Sequence, residues 1–220
     1  MSGAVVLLSG GLDSSVLLHE VRRRLGQAPL YALSFFYGQK HARELEMAAV
    51  QAKRAGAAHR VVDLSFFKEL TRGGSALTDE SIPVPDLSTL SQEQLRQPPT
   101  YVPNRNMMLL SLAAAFAETA DAQDIYYGAQ KQDRYGYWDC TPDFIERIND
   151  LLALNRVKPV RVHAPFAAFS KADIVRLGVE LNVDFSRTWS CYRGVPPACG
   201  TCPTCMERRA AFRQAGVDCL

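Results

Sequence analysis

Apolar residues fall in short runs separated by turn formers, and the spacing within each run assigns an element. Val5–Leu8 has no polar break and suits a strand buried on both faces. Leu30–Phe36 predicts a second strand, Arg60–Leu64 a third, Ile125–Tyr127 a fourth and Val160–His163 a fifth. Between them the apolar spacing turns helical. One helix runs from Val16 to Leu25 and stops at Gly26, and a second runs from His41 to Ala55 and stops at Gly56. Asn106–Thr119 is a strongly apolar helix, Thr141-Pro142 supplies an N-cap with Pro at N1, and Ser170-Lys171-Ala172-Asp173 forms a capping box ahead of a helix reaching Leu181. Strands alternating with helices give an α/β fold with a doubly wound parallel sheet. Ligands in such sheets bind beyond the strands' carboxyl ends, so Ser9–Ser15 and the segments after Phe36 and Leu64 share one rim. Residues 65–104 break the rhythm, because Gly73-Gly74 and five prolines exclude long elements; an insertion of this length reads as a lid, a binding loop or a disordered segment.

The turn after the first strand carries the clearest chemistry. Ser9-Gly10-Gly11-Leu12-Asp13-Ser14-Ser15 joins a buried strand to a helix, which aims backbone N–H groups and a helix dipole at an anion. Two glycines let the backbone approach closely, and three serines add hydroxyls. A Walker A loop needs a lysine in the turn, which is lacking, and the spacing is not that of a dinucleotide-binding loop. The competing reading is an ordinary turn in which Asp13 or Ser14 caps the helix.

Composition adds bounds. A length of 220 residues with 47% apolar content suits one α/β domain with a small appendage. The net charge of +2 and the absence of a Lys/Arg run give no polyanion track, so direct nucleic-acid binding is not expected. With no signal-peptide pattern and no membrane-length apolar stretch, a cytoplasmic protein with reduced thiols is expected. Clustered cysteines then read as metal ligands. Cys191, Cys199, Cys202 and Cys205 supply four thiolates, a closed tetrahedral set suited to structural zinc. An iron–sulfur cluster or a redox pair is the alternative, although the ligand order departs from the ferredoxin run. Cys140 and Cys219 are left over. His19 and His59 read as packing or surface groups, whereas His41 and His163 lie near the predicted rim.

The form Ser-Gly-Gly-x-Asp-Ser resembles the PP-loop of the ATP pyrophosphatases, which share the adenine nucleotide alpha hydrolase-like fold. More of the chain resembles one PP-loop family, the 7-cyano-7-deazaguanine synthases of queuosine precursor biosynthesis (the QueC family). The resemblance rests on Phe36-Tyr37-Gly38-Gln39-Lys40-His41 with Glu44 downstream, on Gly74-Ser75-Ala76-Leu77-Thr78, and on Tyr101-Val102-Pro103-Asn104-Arg105-Asn106. It continues through Gly136-Tyr137-Trp138-Asp139-Cys140, and its most selective part is Thr188-Trp189-Ser190-Cys191-Tyr192 with the cysteine run and Arg208. Members often have Pro where Trp138 stands, Arg where Thr141 stands, and Gly or Ala in place of Asn104.

The resemblance implies that ATP and ammonia convert 7-carboxy-7-deazaguanine to the 7-cyano compound through adenylated carboxylate and amide intermediates. It implies ATP along Leu8-Ser9-Gly10-Gly11-Leu12-Asp13-Ser14-Ser15-Val16-Leu17-Leu18, zinc on the four cysteines, and a homodimer. Residues 1–187 would form the nucleotide-binding domain, with 188–220 as the zinc segment. Asp13 is a candidate to hold Mg²⁺ against the phosphates, or a helix cap. Lys171 is a candidate to neutralise pyrophosphate, or a surface lysine. Arg105 is a candidate for phosphate or carboxylate, or a salt bridge. Tyr101, Asp133, Tyr137 and Asp139 are candidates for the heterocycle, with Trp138 and Tyr192 as further stacking partners. With no glutaminase segment recognisable, free ammonia is the expected nitrogen source. Two other readings stay open: a PP-loop paralogue that amidates, conjugates or thiolates a related acid, with Cys140 as the available thiol, and a zinc-knuckle binding module.

Overall fold

The structure, a computed structural model, describes residues 2–40, 43–133, 136–194 and 196–218. His41 and Cys219 lie outside the described residues. Five strands form one parallel sheet in the order β3-β2-β1-β4-β5, with β1 Gly3–Leu7, β2 Leu30–Phe36, β3 Ala58–Asp63, β4 Ala122–Tyr126 and β5 Arg161–His163. The order reverses at β1, whose Val5 lies opposite Tyr31 on one side and Ile125 on the other. A ligand cleft is therefore expected at the exit of β1.

Alternation along β1 assigns the two faces. Val5 and Leu7 pack with α5 (Arg105–Thr119) and α6 (Pro142–Leu152) through Leu109, Leu110, Ala113, Phe144 and Ile148. Ala4, Val6 and Leu8 pack with α1 (Leu12–Leu25), α2 (Arg43–Arg54), α7 (Lys171–Glu180) and α8 (Pro203–Ala215). Ala211 and Phe212 of α8 sit in the same core as Val16 and Leu17, so the chain's last helix seals the layer its first helix begins.

The local signals place the elements with small offsets. Thr141 Oγ1 accepts from Phe144 N at 3.2 Å with Pro142 following it, and the Ser170/Asp173 capping box is complete. Helix α1 starts at Leu12, not Val16, because Leu12 is already in the core while buried Ser14 and Ser15 interrupt the apolar pattern. Strand β3 starts at Ala58, since backbone pairing from Tyr31–Ala58 to Phe36–Asp63 sets its length and its side chains are mostly exposed.

The proline-rich insertion is folded against the body of the protein. It holds α3 (Phe67–Leu70), a 3₁₀ turn at Leu87–Thr89 and α4 (Gln92–Arg96), the last opened by a Ser91/Gln94 capping box. Ala76 and Val84 pack directly on Cys191, Cys202 and Cys205. No helix among the described residues is long and apolar enough to cross a membrane.

Candidate active site

At the end of β1 the chain turns through Leu8–Gly11 into α1. Gly10 has φ +85°, and a Cβ there would lie 2.0 Å from the Glu44 carbonyl oxygen and 2.7 Å from Ala48 N. Only glycine lets the loop and the first turn of α2 approach this closely. The loop is then locked by hydroxyls: Ser9 N donates to Ser14 Oγ at 3.2 Å, Ser9 Oγ pairs with Ser14 Oγ at 3.0 Å, and Gly11 N donates to Ser9 Oγ at 3.2 Å. Gly11 is the N-cap of α1 and no side chain caps the helix. Asp13 and Ser14 therefore do not act as caps, and the N-terminus of a 14-residue helix faces the cleft, an arrangement suited to an anion.

The cleft is a cavity of about 530 Å³, within the range of small-molecule sites. The glycine loop, the insertion, α5 and the Trp189–Tyr192 segment all contribute walls. Two charged groups divide it. In the first, Lys171 Nζ lies 3.5 Å from Asp13 Oδ2 and 3.0 Å from Glu207 Oε2. Burial alone would lower the Lys171 pKa, but the Asp13 and Glu207 carboxylates override it and hold the ammonium charged. Asp133 accepts from Gln130 N at 3.1 Å and from Gln130 Nε2 at 2.9 Å; burial, with Asp13 and Glu207 adding to it against Lys171, pushes it up to about 6. Burial likewise raises Asp13, against Lys171, and its Oδ1 is buried with no hydrogen-bond partner among the described residues.

The second group centres on Arg105, the first residue of α5. Its Nη1 donates to Tyr37 OH at 3.3 Å, its Nε donates to Asn106 Oδ1 at 3.2 Å, and its guanidinium lies 5.5 Å from the Tyr37 ring centroid. Glu44, on α2, lines the same part of the cavity, and burial pushes its carboxyl up to about 7 against the pull of Arg105. Tyr137 and Tyr192 complete this end; burial raises both phenols, which stay neutral, and Tyr137 OH pairs with Thr100 Oγ1 at 2.9 Å. Asn104, ahead of Arg105, has φ +53°, a left-handed conformation that asparagine and glycine accept.

The structure sorts the sequence-expected residues. Leu8, Ser9, Gly11, Leu12, Asp13 and Ser14 line the cavity, whereas Gly10 supports the loop and Ser15, Val16, Leu17 and Leu18 are buried in the core behind it. Lys171, Arg105, Asp133 and Tyr137 line it too. Tyr101 and Asp139 do not. Tyr101 OH accepts from Trp138 Nε1 at 2.7 Å and from Asn104 N at 3.1 Å, and Trp138 is half exposed, outside the cavity. Asp139 is buried behind the wall, where it accepts from the Asn106 backbone at the start of α5 and faces Arg105. His163 pairs with Asp124 at 2.6 Å, away from the cavity lining.

Glu207 was not singled out by sequence reasoning. Glu207 follows Cys205 by one turn fraction of α8, and only the fold brings it to Lys171. Cys140 lines the cavity, but burial and Asp133 push its thiol up to about 12 while Tyr127 OH donates to its sulfur at 3.2 Å. A thiol so protonated is a poor nucleophile, which weighs against sulfur transfer through it.

The four late cysteines converge. Their sulfurs all lie within 4.8 Å of one another, and Cys199 Sγ to Cys205 Sγ is 3.9 Å. A tetrahedral ion with ~2.3 Å metal–sulfur bonds has edges of ~3.8 Å, so this group can hold a metal ion. Backbone N–H groups of Cys199 and Cys202 each donate to a sulfur at 3.4 Å, as ligand thiolates require. The site reaches the glycine loop directly, since Trp189 N, two residues before Cys191, donates to Gly10 O at 3.0 Å.

With this geometry established, the chain can be set against known proteins. A family model described as "Queuosine biosynthesis protein QueC" matches residues 3–216. A 7-cyano-7-deazaguanine synthase from Caldicellulosiruptor saccharolyticus is 44% identical over 214 residues, spanning 97% of this chain and 92% of that protein. One from Psychromonas ingrahamii is 42% identical over 213 residues, spanning 97% and 94%. Among solved structures, the U34-tRNA thiolase NcsA from Methanococcus maripaludis, described with its [4Fe-4S] cluster, aligns with a TM-score of 0.53 at 14% identity, over 98% of this chain and 63% of the thiolase. At that identity the likeness is one of fold.

Proposed function

The chain belongs to the QueC family of queuosine biosynthesis proteins, and from that membership we propose that its cavity makes 7-cyano-7-deazaguanine from 7-carboxy-7-deazaguanine, ammonia and ATP. The observation that carries the reading is the junction of two ends in one cavity. A capless helix N-terminus suited to phosphate opens beside an Arg105–tyrosine wall suited to a flat, acidic heterocycle.

A carboxylate is a poor electrophile, so its oxygen must first become a leaving group. Attack of that oxygen on the α-phosphorus of ATP expels pyrophosphate, whose growing charge meets the N–H groups of α1 and Lys171. Arg105 is placed to orient the acid, and Tyr137 and Tyr192 to stack on the ring. Ammonia then displaces AMP to leave the amide. Activation of the amide oxygen in the same manner permits its loss and closes the nitrile.

Asp13 Oδ1, buried and without a partner, fits a divalent cation, and Asp13 would hold Mg²⁺ arriving with ATP. A bound Mg²⁺ would supply charge neutralisation at the phosphates. The four cysteines fit zinc, which would be structural because four thiolates leave no open position. We further assign the enzyme to the cytoplasm as a homodimer using free ammonia, and divide it by role into a nucleotide-binding part at 1–187 and a metal-pinned part at 188–220. The test is incubation with ATP, Mg²⁺, ammonium and the carboxy-deazaguanine, followed by mass spectrometry. A product lighter by the change from carboxyl to nitrile, formed with AMP and pyrophosphate, supports the proposal; unreacted acid, or amide that accumulates, refutes it.

A further inference from the structure

We propose that Glu44 is the proton acceptor for nitrile formation, taking the N–H proton whose departure closes the carbon–nitrogen triple bond. This rests on the reaction proposed above and adds a residue to it. When the carboxamide oxygen attacks the α-phosphorus of ATP, pyrophosphate leaves and a protonated O-adenylyl imidate forms. One N–H proton passes to the departing pyrophosphate, leaving the neutral imidate. Removal of the second sends the N–H electron pair into the new C–N bond while the C–O pair departs with AMP. The amide thus releases two protons, and a base must stand at the acceptor end of the cavity.

Four carboxylates of the described residues line the cavity. Asp13 and Glu207 flank Lys171 at the phosphate end, and Asp133 shares the field of these three groups. Glu44 belongs to the acceptor end. It lines the cavity beside Arg105, and its backbone carbonyl abuts Gly10, which fixes its position relative to the phosphate seat. Arg105 from α5 and Tyr37 from the segment after β2 face it among the described residues, while Arg43 on its own helix lies over the Trp189 ring at 4.7 Å. Burial places its titration at about 7, so at neutral pH a large share is ionised and the proton it accepts is held firmly enough for transfer.

The experiment supplies the carboxamide of 7-deazaguanine in place of the acid, which removes ammonium and its own titration from the assay. Two rates are read: carboxamide-dependent ATP–pyrophosphate exchange, which reports oxygen activation, and nitrile formation. In the wild-type protein nitrile formation should show an acidic limb with its midpoint near 7. Glu44→Gln should keep exchange within ~3-fold, lose ~10²–10⁴-fold in nitrile formation, and lose that limb. Glu44→Asp, which retains a carboxylate one methylene shorter, should keep the limb and slow nitrile formation at least ~10-fold more than exchange. It decides the matter if Glu44→Gln fails to fold. Equal losses in both rates, a wild-type nitrile rate in Glu44→Gln, or persistence of the limb without the carboxylate would each overturn the proposal. If the wild-type protein shows no carboxamide-dependent exchange, the nitrile-forming reaction itself is wrong.

Discussion

Replacing Gly10 by alanine should damage the fold through one methyl group. At φ +85° an L residue carries a conformational cost of about 1–2 kcal/mol. The added Cβ would sit 2.0 Å from the Glu44 carbonyl oxygen and 2.7 Å from Ala48 N, both backbone atoms of α2, so relief requires the helix to shift by more than an ångström. Overpacking of that kind costs about 1–3 kcal/mol, which brings the sum to about 2–5 kcal/mol. For a chain of this size the melting temperature should fall by roughly 10 °C, measured by circular dichroism. Gly216→Ala is the control: it is left-handed at φ +71°, ψ +30°, but nothing lies within 4 Å of the new Cβ, so the loss should stay near ~1 kcal/mol. Gly11→Ala separates stability from binding. Its φ of −75° is ordinary and its Cβ would meet Ser9 Oγ at 3.2 Å, so the fold should tolerate it while ATP affinity drops. If Gly10→Ala melts no earlier than Gly216→Ala, the packing argument for the loop fails.

Two further perturbations follow from the same geometry. Cys202→Ser should release the bound metal and weaken ATP binding, because Trp189 N, two residues from Cys191, donates to Gly10 O; metal content and nucleotide affinity that match the wild type would contradict the coupling. Glu44→Gln should raise stability at pH 8 by about 2–3 kcal/mol and leave it nearly unchanged at pH 4, as read from urea unfolding at both pH values. The sign follows from the raised pKa: between its ordinary range and about 7 the folded state keeps a proton that the unfolded chain has lost, so wild-type stability falls as pH rises through that window. A variant no more stable than wild type at pH 8 would show that the carboxyl carries no such cost.

The parallel sheet and the glycine turn after β1 were legible because their signals are local: unbroken apolar runs, caps one turn apart, and a glycine pair after a strand. The capping box at Ser170 and the Thr141-Pro142 start are of this kind. Tyr101 and Asp139 were drawn toward the pocket by their neighbours in sequence, yet Tyr101 spends its hydroxyl on Trp138 and Asn104, and Asp139 accepts from the start of α5. The surroundings of Glu44 and Glu207 come from residues distant in sequence, the charge of Arg105 acting on Glu44 and Lys171 pairing with Glu207, and no local pattern encodes them. The insertion's prolines correctly excluded long helices but hid that Ala76 and Val84 would pack on the cysteine cluster.

Charge at the phosphate end sets a last condition on binding. Asp13, Asp133 and Glu207 bring three carboxylates to a region whose cations are Lys171 and Arg208, and their mutual repulsion is visible in the raised pKa values of Asp13 and Asp133, to which burial contributes most. A triphosphate carrying about four negative charges at neutral pH would add to that repulsion, and the N–H groups of one helix end offset only ~0.5 of a charge. On that balance nucleotide is expected to bind strongly only together with a divalent cation, which Asp13 Oδ1, buried and without a hydrogen-bond partner among the described residues, would be placed to meet. ATP affinity measured by calorimetry should fall at least ~10-fold when EDTA replaces Mg²⁺. Asp13→Asn should shrink that difference while leaving the melting temperature within a few degrees, because Lys171 keeps Glu207 at 3.0 Å. ATP binding that is equally tight in EDTA, with Asp13 intact, would mean that the carboxylates at this end are already neutralised from within the protein.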